Sequence, residues 1–360
     1  MANSTFEYKF PALRGVQAGR DYFVAMCPLR LIPKLFLFDE EELDPQVRAQ
    51  RVLNRARLPE LTGYLVSNPE DYVLSSITAS IDGDVAFHAI GDGPPDVGHL
   101  HVAMNASILI NDGQHRRAAI EEAIKERPEL RDETISVVFF VDAGLRRSQQ
   151  MFADLNTHAV RPSKSLGILY DHRDDMSQLA RGLVETVPCF AALTELEKTS
   201  ISNRSRKLFT LSAVYGATAR FLGKAEGANV SDDDVQSATV FWTEVCQSMP
   251  EWQAALADKV SSFELRRDRV HAHGVALHAI AIAGRALVAA RPSTWQADLR
   301  KLASVDWARS NRRKWEGRAL VGGKVSKVHA SVVLTANELK REFGLPLAAE
   351  ELAMEEAHAR

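Results

Sequence analysis

The chain has 360 residues, of which 46% are hydrophobic and 25% charged, and its formal net charge is −3. These values are typical of a soluble globular protein with material for two domains, and they exclude nucleic-acid binding through an overall basic charge. We expect a cytoplasmic protein without disulfides, metal site or membrane contact, because there is no membrane-length apolar run or signal-peptide core and the three cysteines, Cys27, Cys189 and Cys246, form no CxxC pair.

Strand-like and helix-like patterns alternate over residues 1–142. The first 45 residues have extended character, residues 44–68 predict a helix kinked near Pro59, and residues 72–104 predict short strands. An apolar run ends at Asn111-Asp112-Gly113, a helix follows at once, and residues 133–143 predict a buried strand. The alternation indicates an α/β domain, which we assign to residues 1–145.

From Arg146 onward the pattern is mainly helical. Ser231 precedes three acidic residues and predicts a helix N-cap, and Gly322-Gly323 predicts a turn. A later helix is predicted to open with a capping box at Thr335 and to close before Gly344. Residues 146–360 therefore predict a mainly helical domain with basic patches and a short β/helix tail.

The stretch from Asp112 to Arg117 places several hydrogen-bond donors where a strand passes into a helix. Helical spacing puts Arg116 on the side of the core-facing residues and Gln114 on the outer side, and it places Arg117 four positions before Glu121, where the two can pair.

A buried arginine such as Arg116 needs a partner, because an unpaired charge is costly to bury. One candidate is a structural carboxylate, and the other is a bound anion, which the free N–H groups of the first helical turn would also favour. Gly113 would let the backbone approach such a ligand closely. The spacing leaves both partners open, with Asp112, Asp142 and Asp154 as the candidate carboxylates.

The segment "DGQHR", residues 112–116, resembles the signature of the DGQHR-domain family. Within that family the chain is similar to the DndB proteins of bacterial DNA phosphorothioation clusters, and residues 48–83, 151–171 and 305–340 carry the resemblance further. The resemblance implies a ParB/sulfiredoxin-like fold in which the strand, turn and helix bind a nucleotide phosphate. The phosphate-binding residues that it implies are Gly113, Gln114, His115, Arg116, Arg51, Asn54, Arg57 and Asn156.

Gln114 stands where sulfiredoxins have a reactive cysteine, so thiol chemistry is not expected at that position. The resemblance also implies a DNA-binding negative transcriptional regulator of the phosphorothioation genes. Such a regulator would bind double-stranded promoter DNA as a homo-oligomer, specifically as a dimer. Other phosphorothioation proteins are further candidate partners, contacted through the helical domain in an assembly role.

An enzymatic alternative remains open at the same motif. Asp112, His115 and Arg116 would be the catalytic residues of a nucleotide-hydrolysing or DNA-nicking enzyme, with a nucleoside triphosphate and Mg²⁺ as cofactors. For DNA contact, local charge density favours the tail, where a helix over 336–343 could enter the major groove and Trp315 lies among the basic residues. The candidate DNA-binding residues are Arg309, Arg312, Arg313, Lys314 and Lys324.

Two other clusters have simpler interpretations. His271 and His278 are seven residues apart and would share a helix face, which makes a metal pair conceivable, but buried structural histidines are the favoured interpretation. Asp171, Asp174 and Asp175 are interpreted as helix-start residues rather than as a carboxylate site.

Overall fold

The structure is a computed structural model that describes residues 6–36, 55–91, 93–141, 150–151, 154–155 and 162–358. The chain divides into two compact units, Met1–Val160 and Arg161–Arg360. The predicted α/β class is confirmed, because a mixed seven-stranded sheet is present together with many helices.

The sheet of the first unit has the strand order β4-β5-β1-β2-β7-β3-β6. Only β3 and β7 pair in parallel, and all other neighbours are antiparallel. The strands are β1 (Glu7–Gln17), β2 (Arg20–Pro28), β3 (Ile77–Asp82), β4 (Val85–Ala89), β5 (Val97–Ala103), β6 (Ser107–Asp112) and β7 (Thr134–Val141).

One face of this sheet forms the core of the first unit. Alternate strand residues such as Phe23, Ala25 and Cys27 are buried, as expected when successive side chains point to opposite faces. They belong to one apolar cluster with residues of three helices, including Leu65 and Ile120. The helices are α1 (Ile32–Leu35), α2 (Leu58–Ser67) and α3 (Gln114–Glu126).

Two predicted boundaries in this unit are wrong. Within the described part of the predicted helix 44–68, a 3-10 turn at Arg55–Arg57 leads into α2, and Pro59 lies in the first turn of α2 rather than at a kink. Proline is tolerated there because its missing N–H has no intrahelical acceptor. The strand predicted from Tyr72 begins only at Ile77. Residues 44–54 lie outside the described ranges.

The second unit is built around a long apolar helix, α11 (Gly274–Ala290). It packs against α7 (Leu211–Leu222) and α14 (His329–Glu342). The predicted caps at Ser231 and Asp174 are confirmed, since each side chain accepts backbone N–H groups of the helix that follows. The helices described are α4 (Lys164–Tyr170), α5 (Asp175–Thr186), α6 (Pro188–Leu193), α7 (Leu211–Leu222), α8 (Asp232–Gln247), α9 (Pro250–Leu256), α10 (Ser262–Asp268), α11 (Gly274–Ala290), α12 (Trp295–Leu299), α13 (Arg312–Trp315), α14 (His329–Glu342) and α15 (Ala349–His358).

Short strand pairs complete the second unit. The predicted turn at Gly322-Gly323 joins β10 (Leu320–Val321) to β11 (Lys324–Val325), and both glycines have positive φ. A second pair joins β8 (Thr194–Glu195) to β9 (Phe209–Thr210). The predicted end of α14 before Gly344 is confirmed.

The predicted helix start at Thr335 is wrong. Helix α14 already begins at His329, and the Thr335 hydroxyl donates to the Ser331 carbonyl inside the helix instead of capping it. A serine or threonine bonded to the carbonyl four residues earlier is compatible with a helix interior, so the capping-box pattern alone did not fix the boundary.

The expectation that the cysteines form no disulfide is also wrong. Cys189 of α6 and Cys246 of α8 are bonded, although they are 57 residues apart. Sequence spacing could not reveal this pair, because the packing of two helices brings the residues together. Cys27 is a free, buried thiol in the first unit.

Helix α15 is held by polar contacts, since none of its residues is buried. The Glu355 carboxylate accepts hydrogen bonds from both terminal nitrogens of Arg318 at 2.7 Å, pairs with Arg341 at 2.9 Å and accepts from the Asn337 amide at 3.0 Å. Burial would raise the pKa of Glu355, but the hydrogen bonds from Arg318, Arg341 and Asn337 lower it to about 2.

We expect Glu355→Gln to release α15 and to lower the free energy of unfolding by about 2 kcal/mol at neutral pH. Because the folded-state pKa of Glu355 lies below its ordinary 4.5, its stabilisation is complete above that value and is lost as the pH falls towards about 2. Hydrogen exchange of the α15 amides between pH 7 and pH 3 measures this. The exposed Glu356→Gln on the same helix is the control, and equal protection in both variants would contradict the assignment.

Candidate functional site

The predicted strand–turn–helix at the "DGQHR" motif is confirmed. Strand β6 ends at Asp112, Gly113 adopts a left-handed conformation with φ of 106°, and α3 begins at Gln114. A Cβ atom at Gly113 would also lie 3.0 Å from Ile77 and 3.1 Å from the Arg116 guanidinium. Both the backbone angle and the space therefore favour glycine at this turn.

Arg116 has a structural carboxylate as a partner, which is one of the two possibilities that the sequence left open. Its Nη2 donates to the Asp112 carboxylate and its Nη1 donates to the Ser75 hydroxyl at 2.6 Å. Its side chain is 19% exposed, and its buried Nε has no hydrogen-bond partner among the residues that the structure describes. The guanidinium is thus held in a fixed position at the first turn of α3 and retains one unused donor.

Arg117 has a structural role. It pairs with Glu121 as predicted, and it also donates to the backbone carbonyls of Phe36 at 3.1 Å and Pro33 at 3.2 Å. These contacts tie α3 to the segment around α1.

We therefore expect Arg117→Ala to lower the free energy of unfolding of the first unit by about 2 kcal/mol, because it leaves two carbonyls and a carboxylate without their donor. Urea unfolding followed by circular dichroism measures the change. Lys125→Ala serves as control, since it removes an exposed pair with Glu122 on the same helix and should have little effect. Equal losses in the two variants would show that the Arg117 contacts contribute no more than a surface pair.

The prediction that Gln114 lies on the outer side is wrong. Its side chain is buried, and within the described part of the chain its Nε2 donor has no hydrogen-bond partner. Residue spacing within a helix predicts only which side of the helix faces the core. It cannot predict whether other segments of the chain cover the first turn. A buried amide with an unused donor is uncommon and costs free energy.

A cavity of about 580 Å³ opens beside the motif, and Arg57, Ser75, His115 and Arg116 are among its lining residues. Partial burial lowers the pKa of His115, and the positive charges of Arg57 and Arg116 lower it further against the opposing charge of Asp112. These effects favour the neutral form of the imidazole. Sequence spacing gave no signal for Ser75, which comes from the segment before β3.

The structure thus brings together Gly113, His115, Arg116 and Arg57 of the predicted phosphate site. Asp112, a predicted catalytic residue of the enzymatic alternative, adjoins them through its contact with Arg116. Gln114 adjoins them in the chain but is not among the residues that line the cavity. The predicted residues Arg51, Asn54 and Asn156 lie outside the described ranges, as does Asp142. Asp154 accepts from Gln150 at 2.7 Å.

The basic tail separates into structural and exposed residues. Arg309 donates to the carbonyls of Arg267 and Gly323, and Lys314 pairs with Glu338 and Glu342 of α14. The tail cations that remain exposed, with no acidic partner in the described part of the chain, are Arg312, Arg313 and Lys324.

Two features predicted for DNA contact are unsuited to it. The helix predicted over 336–343 is part of α14, whose residues Ala336, Asn337, Leu339 and Lys340 are buried against the core of the second unit. It could not enter a major groove without unfolding. Trp315 is also buried, and its indole N–H donates to the Asp306 carbonyl at 2.8 Å.

The histidines are structural, as favoured. His271 lies in a 3-10 turn and His278 in α11, so the predicted shared helix face is wrong. His271 accepts from the Trp252 indole at 3.0 Å and contacts Glu251. Burial first, and then nearby cations, lowers the pKa of His278 to about 3. No group of three His, Cys, Asp or Glu side chains within the described ranges is arranged to hold a metal ion.

None of the helices in the described ranges has both the length and the apolar character needed to span a bilayer. No curated protein and no solved structure matches the chain. A family model, DndB, described as DNA-sulfur modification-associated, matches residues 10–346. Because this match covers nearly the whole chain and agrees with the resemblance of its motifs, the protein belongs to the DndB family of DNA-sulfur modification-associated proteins.

Proposed function

We propose that the protein is a DNA-binding negative transcriptional regulator of a bacterial DNA phosphorothioation gene cluster. The observation that carries the proposal is the set of exposed tail cations, Arg312, Arg313 and Lys324, on a protein of the DNA-sulfur modification family. A chain with a net charge of −3 does not attract DNA over its whole surface, so contact would be confined to such a local patch.

The neighbouring surface supports the proposal. A groove of about 820 Å³ is lined by four arginines and three acids. The arginines are Arg267, Arg269, Arg309 and Arg312, and the acids are Glu251, Glu264 and Asp268. Arg267 and Arg269 are paired with Asp268 and Glu251, which leaves Arg309 and Arg312 as the cations without a carboxylate partner in the groove. Arginine side chains without a carboxylate partner are suited to phosphate contacts, which position a protein on a duplex.

A mobility-shift assay against the promoter of the modification genes tests the proposal. We expect binding to the promoter to be tighter than binding to a shuffled duplex of equal length and composition in about 0.1 M salt. Equal affinity for both duplexes would contradict a regulator. Purified protein should also repress transcription from this promoter in a reconstituted reaction.

A second candidate function is nucleotide hydrolysis or DNA nicking at the motif, and the cavity beside Arg57, His115 and Arg116 favours it. Against it, one carboxylate oxygen of Asp112 already accepts a hydrogen bond from Arg116, which reduces the negative charge that Asp112 could offer a Mg²⁺ ion. Phosphate release with ATP and Mg²⁺, measured with and without DNA, tests this function. Equal background rates for the native protein and Arg116→Ala would reject it.

A further inference from the structure

A second cavity, of about 550 Å³, lies within the helical unit and is lined by an unusual set of charges. Arg266, Arg267, Arg309 and Lys327 line it, and no aspartate or glutamate is among its lining residues. Its volume lies in the range of small-molecule sites. Arg267 is paired with Asp268, which leaves Arg266, Arg309 and Lys327 as cations without an acidic partner among the described residues. A concave site with three such cations is suited to an anionic ligand.

Two of the guanidinium groups are fixed in place. Arg266 donates to the carbonyls of Ser202 at 3.0 Å and Asn203 at 3.1 Å and also to those of Ser205 and Lys207. Arg309 likewise donates to backbone carbonyls. Neutral carbonyl partners orient these groups but leave their formal charge, so the cavity stays electropositive without further ordering.

Lys327 differs, because its ammonium has neither a hydrogen bond nor an ion pair with any described residue. The ammonium lies 3.4 Å from the position that a Cβ atom on Gly274 would take. Gly274 begins helix α11, which has 17 residues and no side-chain cap. A free ammonium therefore stands beside the uncapped N–H groups of a long helix, and both attract a phosphate. Burial, followed by the charges of Lys164 and Arg220, lowers the pKa of Lys327, which agrees with an uncompensated cation.

Apolar and aromatic side chains also line the cavity. Phe263 lines it and is 41% exposed, and the Arg267 guanidinium lies 5.8 Å from the centre of its ring. An exposed aromatic ring beside arginine can stack on a nucleic base. We propose that this cavity binds a nucleoside phosphate, with the phosphate at Lys327 and the start of α11 and the base against Phe263.

The cavity shares Arg267 and Arg309 with the groove proposed for DNA contact, whereas Lys327, Phe263 and Gly274 line this cavity and not that groove. Calorimetric titration of the full chain with AMP, inorganic phosphate and adenosine tests the proposal. We expect AMP to bind and adenosine to bind far more weakly. Lys327→Met should weaken AMP and phosphate at least tenfold. Phe263→Ser should weaken AMP several-fold and leave inorganic phosphate unchanged. The control is Lys259→Met, an exposed lysine outside both the cavity and the tail, which should match the native protein.

A single-stranded oligonucleotide distinguishes the source of the nucleoside phosphate. If it binds in a manner that depends on Lys327 and is displaced by AMP, the ligand in the cavity is a nucleotide of a DNA strand, whereas AMP binding alone indicates a free nucleotide. Native affinity of Lys327→Met for every probe, with unchanged thermal unfolding, would overturn the proposal. The promoter mobility shift is run in parallel, so that a loss of nucleoside-phosphate binding is distinguished from a loss of promoter binding.

Discussion

Reduction of the disulfide between Cys189 and Cys246 is expected to lower the free energy of unfolding of the second unit by about 4 kcal/mol. The bond closes a loop of 57 residues, and a crosslink of this length removes conformational entropy from the unfolded chain in about that amount. Both cysteines are buried, at 0% and 2% exposure, so the native packing shields the bond from thiols in solution. Urea unfolding with and without a phosphine reductant measures the difference.

Thiol counting in denaturant provides the control. Before reduction only Cys27 should react, and after reduction all three cysteines should react. In the native state burial raises the pKa of Cys27 to about 12, which keeps this thiol inert and prevents it from exchanging with the disulfide. The reductant should therefore destabilise Cys27→Ala as much as the native protein. Three reactive thiols in unreduced protein would contradict the bond.

The sequence predicts local structure well where the signal is local. The apolar run before Asp112, the glycine after it and the helical stripe beginning at Ala119 suffice to predict the turn at the motif, because each describes a few neighbouring residues. Pairing of Arg117 with Glu121 follows in the same way, since the residues are one helical turn apart.

Partners that are distant in sequence could not be predicted. Ser75, which holds Arg116, comes from a segment 41 residues earlier, and the acids that pair with Lys314 lie on α14, 24 and 28 residues further on. Charge density alone therefore overestimated the number of tail cations that are free to contact DNA, because it included Lys314. Of the five candidate cations, Lys314 pairs with acids, and Arg312, Arg313 and Lys324 are exposed.

We expect the double variant Arg312→Ala/Arg313→Ala to weaken binding to the promoter duplex about a hundredfold at low salt. Each phosphate contact contributes about 0.9 to the slope of log K against log salt, so this variant should lower the slope by about 2. Because the loss is electrostatic, it should be similar for promoter and shuffled DNA and should shrink as salt is added. Fluorescence anisotropy across a salt series measures both quantities.

The matched control is Lys259→Ala/Arg300→Ala, which removes the same charge from exposed positions of the second unit. If the affinity for DNA depends only on the net charge of the protein, both double variants will lose affinity equally and their salt slopes will change together. If the tail is the contact surface, only the Arg312→Ala/Arg313→Ala variant will have a smaller slope of log K against log salt. The reason is that counterions are released only where a cation contacts a phosphate. An unchanged slope in the tail variant would place the DNA contact elsewhere in the chain, even if repression of the promoter persists.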